Sequence, residues 1–276
     1  MARFAAPDGV ELTYHLLGEG EPLVCVPGGM LASAYLGDLG GLSAHRQLVL
    51  LDLRGTGESD GPGDPQNWRC DRQVSDVEAL REHLGLEKLT LLGHSAGASL
   101  VTRYAAEHPE RIAKLVLATP GTRSVGIDVT ADRRRQVLER RKDEPWYPEV
   151  SAAFEAIQTG EGADWQALNP MSYARWDADA KAHQAFEDTL ANYEALGSFN
   201  SRDAFDPAAT RAALTKLEAP ALILAGALDW GTDTIAAEEF AGLFPNAQFT
   251  VLPGVAHHPW LDDPQGFLDT VLAFLR

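Results

Sequence analysis

Short runs dominated by apolar residues recur along the chain, and most close on a bend rich in glycine, proline or aspartate. They are Leu23–Val26, Gln47–Leu53, Leu89–Leu92, Ile112–Ala118, Ala221–Ala225 and Gln248–Leu252. Runs this short, bounded by turn residues, predict strands buried on both faces. Between them apolar positions return at intervals of three and four, as at Val74, Val77, Leu80 and Leu84, and predict helices over 71–84, 98–105, 234–243 and 264–275. Phe4–Leu17, with the turn signal Pro7-Asp8-Gly9, reads as a hairpin at a sheet edge, and 31–44 as loop with weak helix. Strands alternating with helices imply an α/β fold, a doubly wound and mostly parallel sheet wrapped on both faces.

The alternation breaks after Thr119-Pro120-Gly121. From 122 to 205 no strand-like run occurs; the segment carries charged helical stretches such as 132–142, and three tryptophans, Trp146, Trp165 and Trp176. The expectation is a core of 1–121 and 206–276 with an inserted helical cap, or lid, over 122–205. An insertion of this length is far longer than a simple connection and is usually functional.

Composition narrows the partners. With 276 residues, 45% of them hydrophobic, the chain can bury a substantial core, and a formal net charge of −17 disfavours nucleic acid and anionic membrane surfaces. Cys25 and Cys70 are too few for a disulfide framework or a metal site, so no metal is expected. The N-terminus lacks an apolar signal region and no stretch reaches membrane length; a cytoplasmic location is the default expectation. The expected partner is a small-molecule substrate, and the oligomeric state is left open.

The chemistry centres on Leu89–His108. A predicted strand runs into Gly93-His94-Ser95-Ala96-Gly97, and helical spacing follows at once. G-x-S-x-G in a strand–turn–helix context is a nucleophile elbow: the bend is so sharp that side chains at the flanking positions would clash, hence the two glycines. Ser95 is then exposed at a helix N-terminus, where the Ala96 N–H can face a developing oxyanion. A serine hydroxyl needs a base, and the base needs a group that holds its tautomer. Asp229 and His257 follow later predicted strands, so the order is Ser…Asp…His. Asp233 is the second candidate for the acid, though it suits a helix N-cap better; His258 is the second candidate for the base. Pro27-Gly28-Gly29-Met30 follows an earlier strand, and Gly29 is the expected second oxyanion donor. His94 reads as packing beneath the site. Met30, His94, Trp146, Trp176, Glu187, Glu194 and Trp230 are candidates for the substrate pocket, and the spacing of Glu187 and Glu194 places them two turns apart near one face of a single helix.

With P-G-G-M (27–30), D-L-R-G-T-G-E-S (52–59), G-H-S-A-G (93–97), G-A-L-D (226–229) and G-V-A-H-H-P-W-L-D-D-P (254–264), the chain resembles the α/β-hydrolase fold superfamily, and within it the proline iminopeptidase-like branch. The resemblance implies Ser95, Asp229 and His257 as a catalytic triad, Gly29 and Ala96 as the oxyanion hole, and no cofactor. It places His257 in the usual histidine loop and His258 in the variable position after it, where replacement should cost little. The chain departs from the branch's H-G-G-P-G at Pro27, Met30 and Leu31, and the branch's tryptophan-rich pattern with a glutamate pair has no evident counterpart in 122–205. The expected function is a serine hydrolase cleaving an ester, thioester, lactone or N-terminal amide through an acyl-enzyme on Ser95. A proline iminopeptidase-type aminopeptidase is the near alternative. A non-hydrolytic lyase or small-molecule receptor on the same fold is the alternative of another class.

Overall fold

In the third strand Val24 and Val26 join one apolar cluster while Leu23 and Cys25 join another, as the two-residue period of a strand requires. The same division holds for Leu91 against Leu92, Leu115 against Val116, and Ile223 against Leu222 and Leu224. Both faces of the sheet are therefore dry, which is why these strands read as continuous apolar runs. A computed structural model of the protein describes residues 1–162 and 164–276.

The strands are β1 (Ala2–Ala5), β2 (Glu11–Leu17), β3 (Pro22–Val26), β4 (Gln47–Leu51), β5 (Leu89–His94), β6 (Ile112–Ala118), β7 (Ala221–Gly226) and β8 (Ala247–Leu252). They form one sheet in the order β1-β2-β4-β3-β5-β6-β7-β8. β1 and β2 are the antiparallel hairpin, β2 joins β4 antiparallel, and every pair from β4 to β8 is parallel. The chain leaves β3 for β4 on one side and returns to β5 on the other. Loops at the carboxyl ends of β3 and β5 therefore flank the point where strand order reverses, the usual place for a ligand crevice.

Helices α1 (Val74–His83), α2 (Ala96–Glu107) and α8 (Thr234–Ala241) contribute to the larger cluster, and α10 (Pro264–Leu275), with Trp260 from the short α9 (Pro259–Asp262), to the other. Between β6 and β7 lie α3 (Ala131–Glu139), α4 (Tyr147–Thr159), α5 (Ala178–Leu190), α6 (Tyr193–Phe199) and α7 (Pro207–Leu214). Val137, Leu138, Val150, Phe154, Leu168 and Met171 give this segment a small apolar cluster of its own. It is pinned to the loop after β3 by Ala32 N–H on Leu190 O at 3.1 Å and Asn192 N–H on Met30 O at 3.0 Å. No helix among the described residues is long and apolar enough to cross a membrane.

The turn after β4 holds a buried ion pair. Arg54 Nε and Nη2 donate to the Asp76 carboxylate at the start of α1, both at 2.5 Å, and Arg54 Nη1 donates to the half-exposed Asp8. Removing one partner from such a pair leaves an uncompensated buried charge, whereas an apolar pair of similar volume is tolerated. Arg54→Met should therefore lower unfolding free energy by about 3–5 kcal/mol. The double variant Arg54→Met/Asp76→Leu should recover most of that loss, as measured by urea denaturation.

Candidate active site

Ser95 joins β5 to α2 with φ 51° and ψ −125°, a backbone conformation a side-chain-bearing residue rarely adopts. Such a residue costs on the order of 1–3 kcal/mol. The cost is outweighed by α2, whose Leu100, Val101 and Tyr104 are fully buried at about 1.5–3 kcal/mol each. The bend depends on missing side chains. A Cβ on Gly93 would lie 2.7 Å from Ala98 Cα, and one on Gly97 would lie 2.3 Å from Pro27 O. One on Gly28 would lie 2.7 Å from Ser95 Cβ, so the loop after β3 closes directly over the serine. The N–H groups of Gly29 and Ala96 have no hydrogen-bond acceptor among the described residues, and both residues border a cavity that Ser95 also lines. That cavity offers two unpaired donors beside a half-buried hydroxyl.

His257 lies in the loop between β8 and α9, and its Nδ1 is 3.1 and 3.2 Å from the two oxygens of Asp229. Asp229 is buried at the end of β7 and also accepts from Gly231 N–H at 2.8 Å. A carboxylate only accepts, so Nδ1 carries a proton, and in the neutral ring Nε2 keeps its lone pair. Burial by itself disfavours the imidazolium, but the Asp229 charge and hydrogen bond, then Glu187 and Asp262, outweigh it and hold the His257 pKa above the ordinary imidazole value. The hydrogen bonds of this ring among the described residues run to Asp229 alone; it meets Ser95 across the two cavities that both residues line. Asp233 does not face His257: it caps α8, accepting from Ile235 and Ala236 N–H at 2.9 and 3.0 Å, and pairs with Arg133.

His94 does more than fill space beneath the serine. Its Nε2 is 3.0 Å from the His257 carbonyl, which can only accept, so Nε2 bears the proton and Nδ1 accepts from Tyr35 Oη at 2.6 Å. Tyr35 Oη accepts in turn from Gly28 N–H at 2.8 Å. One neutral ring thus joins the glycine loop, the elbow and the histidine loop. Burial, then the neighbouring histidines, keep its pKa well below the usual range and the ring uncharged.

The remaining pocket candidates divide. Trp230 lines the cavity with Ser95, and Glu187 lines a second one of about 340 Å³ that also contains Ser95, His94 and His257. Met30 does not line either. With φ 53° its side chain turns into the core, where its Sδ lies 3.8 Å from the Gln73 amide, and Leu31 takes its place in the cavity wall. Trp146 and Trp176 lie away from Ser95: Trp146 packs beneath the Arg141 guanidinium, 4.5 Å from the ring centre, and Trp176 stands against Tyr173. Glu194 is exposed, and it does not share a helix with Glu187. The chain breaks at Ala191-Asn192, where Ala191 bridges to Leu31 and the Asn192 side chain starts α6 by accepting from Ala195 N–H.

His258 is likewise not a free neighbour of His257. It is buried, with Nε2 3.1 Å from Glu187 Oε1 and Nδ1 3.2 Å from Ser172 O. Both ring nitrogens thus face oxygens, one of them on the Glu187 carboxylate. His183 and Tyr173 complete this group: Tyr173 Oη lies 2.9 Å from His183 Nδ1 and 3.2 Å from Glu187 Oε2. Nothing in the spacing of Tyr35, Ser172, His183 and His258 marks them as one group. The only signal was the doubled histidine at 257–258.

A model of the alpha/beta hydrolase fold family matches residues 21–264. A proline iminopeptidase of Heyndrickxia coagulans is 26% identical over 94% of this chain and 92% of its own length. A putative 2-succinyl-6-hydroxy-2,4-cyclohexadiene-1-carboxylate synthase of Bacillus subtilis is 26% identical over 97% and 96%. Among solved structures, an esterase from Rhodococcus sp. ECU1013 superposes with a TM-score of 0.69 at 25% identity, over 99% of this chain and 98% of that one. Strand order, elbow and family match agree, and the chain belongs to the α/β-hydrolase fold family, with likeness to a proline iminopeptidase along almost its whole length.

Proposed function

We propose that the chain is a serine hydrolase of small acyl compounds, with Ser95 as nucleophile, His257 as base, Asp229 as its orienting acid, and Gly29 and Ala96 N–H as the oxyanion hole. The observation that carries the reading is the Asp229–His257 contact at 3.1 Å, which leaves Nε2 unprotonated on the loop beside the elbow. His257 Nε2 takes the Ser95 proton as Oγ attacks the substrate carbonyl, and the two N–H groups receive the negative oxygen. Protonated His257 then gives its proton to the leaving oxygen or nitrogen, and an acyl-enzyme remains. Water deprotonated by His257 attacks the ester, and the acid is released. Residues 122–205 act as the cap that walls the site.

Within that chemistry an ester or lactone suits the pocket better than an N-terminal amide. A substrate ammonium needs uncommitted acceptors. Of the two acids that line a cavity with Ser95, Glu187 accepts from His258 and Tyr173, and Asp188 is exposed and accepts from Gln184 and Tyr193; Glu194 lies outside that lining. The esterase name of the Rhodococcus structure supports the same side, and the proline iminopeptidase name supports the alternative. A parent enzyme with higher kcat/KM on proline 4-nitroanilide than on 4-nitrophenyl butyrate would favour the alternative.

Two outcomes test the roles. Ser95→Ala should fold like the parent and lose roughly three or more orders of magnitude in ester turnover; near-parental turnover would end the proposal. The second concerns pH. His257 must be neutral to act, and its pKa is held up in the folded enzyme, so the acidic limb of kcat/KM should fall above about pH 6.5. Removing a negative neighbour lowers that pKa, so Glu187→Gln should move the limb to lower pH. A parent limb below pH 6.5, or a shift to higher pH in Glu187→Gln, would show that these charges do not act on the base.

A further inference from the structure

Ser95 stands between two cavities of opposite electrostatic character. The one containing Glu187 and Asp188 also holds three histidines. The other, of about 320 Å³, has no carboxylate in its wall and contains Arg123 and Arg134 together with Ser95, Gly29, Ala96 and His257. Arg134 projects from α3 and takes no carboxylate within 4.0 Å among the described residues, whereas its neighbours Arg133 and Arg135 each do. Its Nε is buried with no hydrogen-bond partner among the described residues. The guanidinium carbon lies 5.8 Å from the Trp230 ring centre, and Arg134 makes no side-chain hydrogen bond among the described residues.

Among the described residues, none of the acids around it lines the cavity or makes an ion pair with it. Asp229 holds His257, Asp233 holds Arg133 and caps α8, and Asp128 is exposed. Arg123 is exposed at the rim, and its reach to Asn200 O is a long 3.5 Å. Burial, and then the like charge of Arg123, push the Arg134 pKa below its ordinary range, yet a guanidinium stays charged in proteins. The chain as a whole carries −17, so a cationic cavity beside the serine runs against the overall field. A guanidinium that faces a cavity without a direct carboxylate partner, with Asp229, Asp128 and Asp233 acting on it only at longer range, is suited to a ligand carboxylate, which its planar fork of donors matches.

We propose that the substrate carries a carboxylate, bound by Arg134 with Arg123 at the rim, on the portion of the molecule that occupies this cavity. The inference rests on the serine-hydrolase reading and adds its substrate class: a small acyl compound with an anionic acyl or leaving group. The carboxylate reduces the cost of leaving Arg134 unpaired only when it is in place, so discrimination against a neutral isostere is built into the site.

Two matched pairs test it. Mono-4-nitrophenyl adipate and its neutral primary amide place the charge on the acyl side; 4-(pentanoyloxy)benzoate and 4-(pentanoyloxy)benzamide place it on the leaving group. With spontaneous hydrolysis subtracted, the parent should prefer the acid over the amide by about tenfold or more in kcat/KM in one pair, and that pair identifies the portion bound. Arg134→Gln should bring the ratio to within about threefold of one, Arg134→Lys should retain part of it, and Arg123→Gln should lower it less. Because ratios within each variant are compared, a general loss of activity does not imitate the result. Calorimetric titration of Ser95→Ala with the same four esters repeats the comparison without turnover. No turnover of any ester together with tighter binding of one acid would overturn the hydrolase reading and keep the anion site. Equal preference for acid and amide in both pairs, or a ratio unchanged in Arg134→Gln, would overturn the anion site whatever the turnover.

Discussion

The site depends on how closely three backbones approach one another. β5 ends in a bend that places Ser95 in a strained conformation, α2 starts in the next residue, and the loop after β3 lies against both. Gly28, Gly93 and Gly97 are the residues at which a side chain would collide with Ser95 Cβ, the α2 backbone or the β3 loop. Their absence of a Cβ lets the loop after β3 close over Ser95, and Gly29, Ala96 and Ser95 line one cavity. The sheet supplies the rest: the strand order reverses between β3 and β5, so the loops of these neighbouring strands open into one crevice.

Around that fixed point the charges are sorted by role. His257 is held by Asp229 and lies in the field of Glu187 and Asp262, which favours its protonated form. His94, buried between Tyr35 and the His257 carbonyl, is kept neutral and serves as a strut. His258 is drawn into a pair with Glu187 on α5, so the histidine loop is tied to the helical segment as well as to the sheet. Asp262 strengthens that tie by accepting from Ala256 N–H at 2.8 Å and Ala174 N–H at 2.9 Å. Three rings of one residue type thus differ in surroundings because their partners differ.

The fold class was legible because parallel strands buried on both faces leave unbroken apolar runs, and the helices between them keep a clear spacing of three and four. Residue type and chain order nominate Ser95, Asp229 and His257 because loops at the carboxyl ends of such strands converge; the structure brings Asp229 to His257 and lines shared cavities with His257 and Ser95. What escaped was whatever depends on how 122–205 packs over the sheet. Trp146 and Trp176 were nominated by composition, yet aromatic content does not say which way a ring points, and each packs against neighbours within the helical segment. Met30 was nominated by its place in a glycine motif, and a positive φ turns it inward. Glu187 and Glu194 were joined by counting residues across a boundary that the Asn192 cap creates. Arg134 looked like one charge among many in 132–142; only the contacts around it show that it lacks a carboxylate while its neighbours have one.

The central claim is that Ser95 is an activated nucleophile, made so by the elbow and by His257. The most direct measurement is reaction with a fluorophosphonate, followed by peptide mass spectrometry to locate the adduct and by stopped-flow kinetics to give its rate. A single adduct on Ser95, forming much more slowly in His257→Ala, is the predicted result. An adduct on another residue, or no adduct in a protein that still turns over esters, would contradict the account.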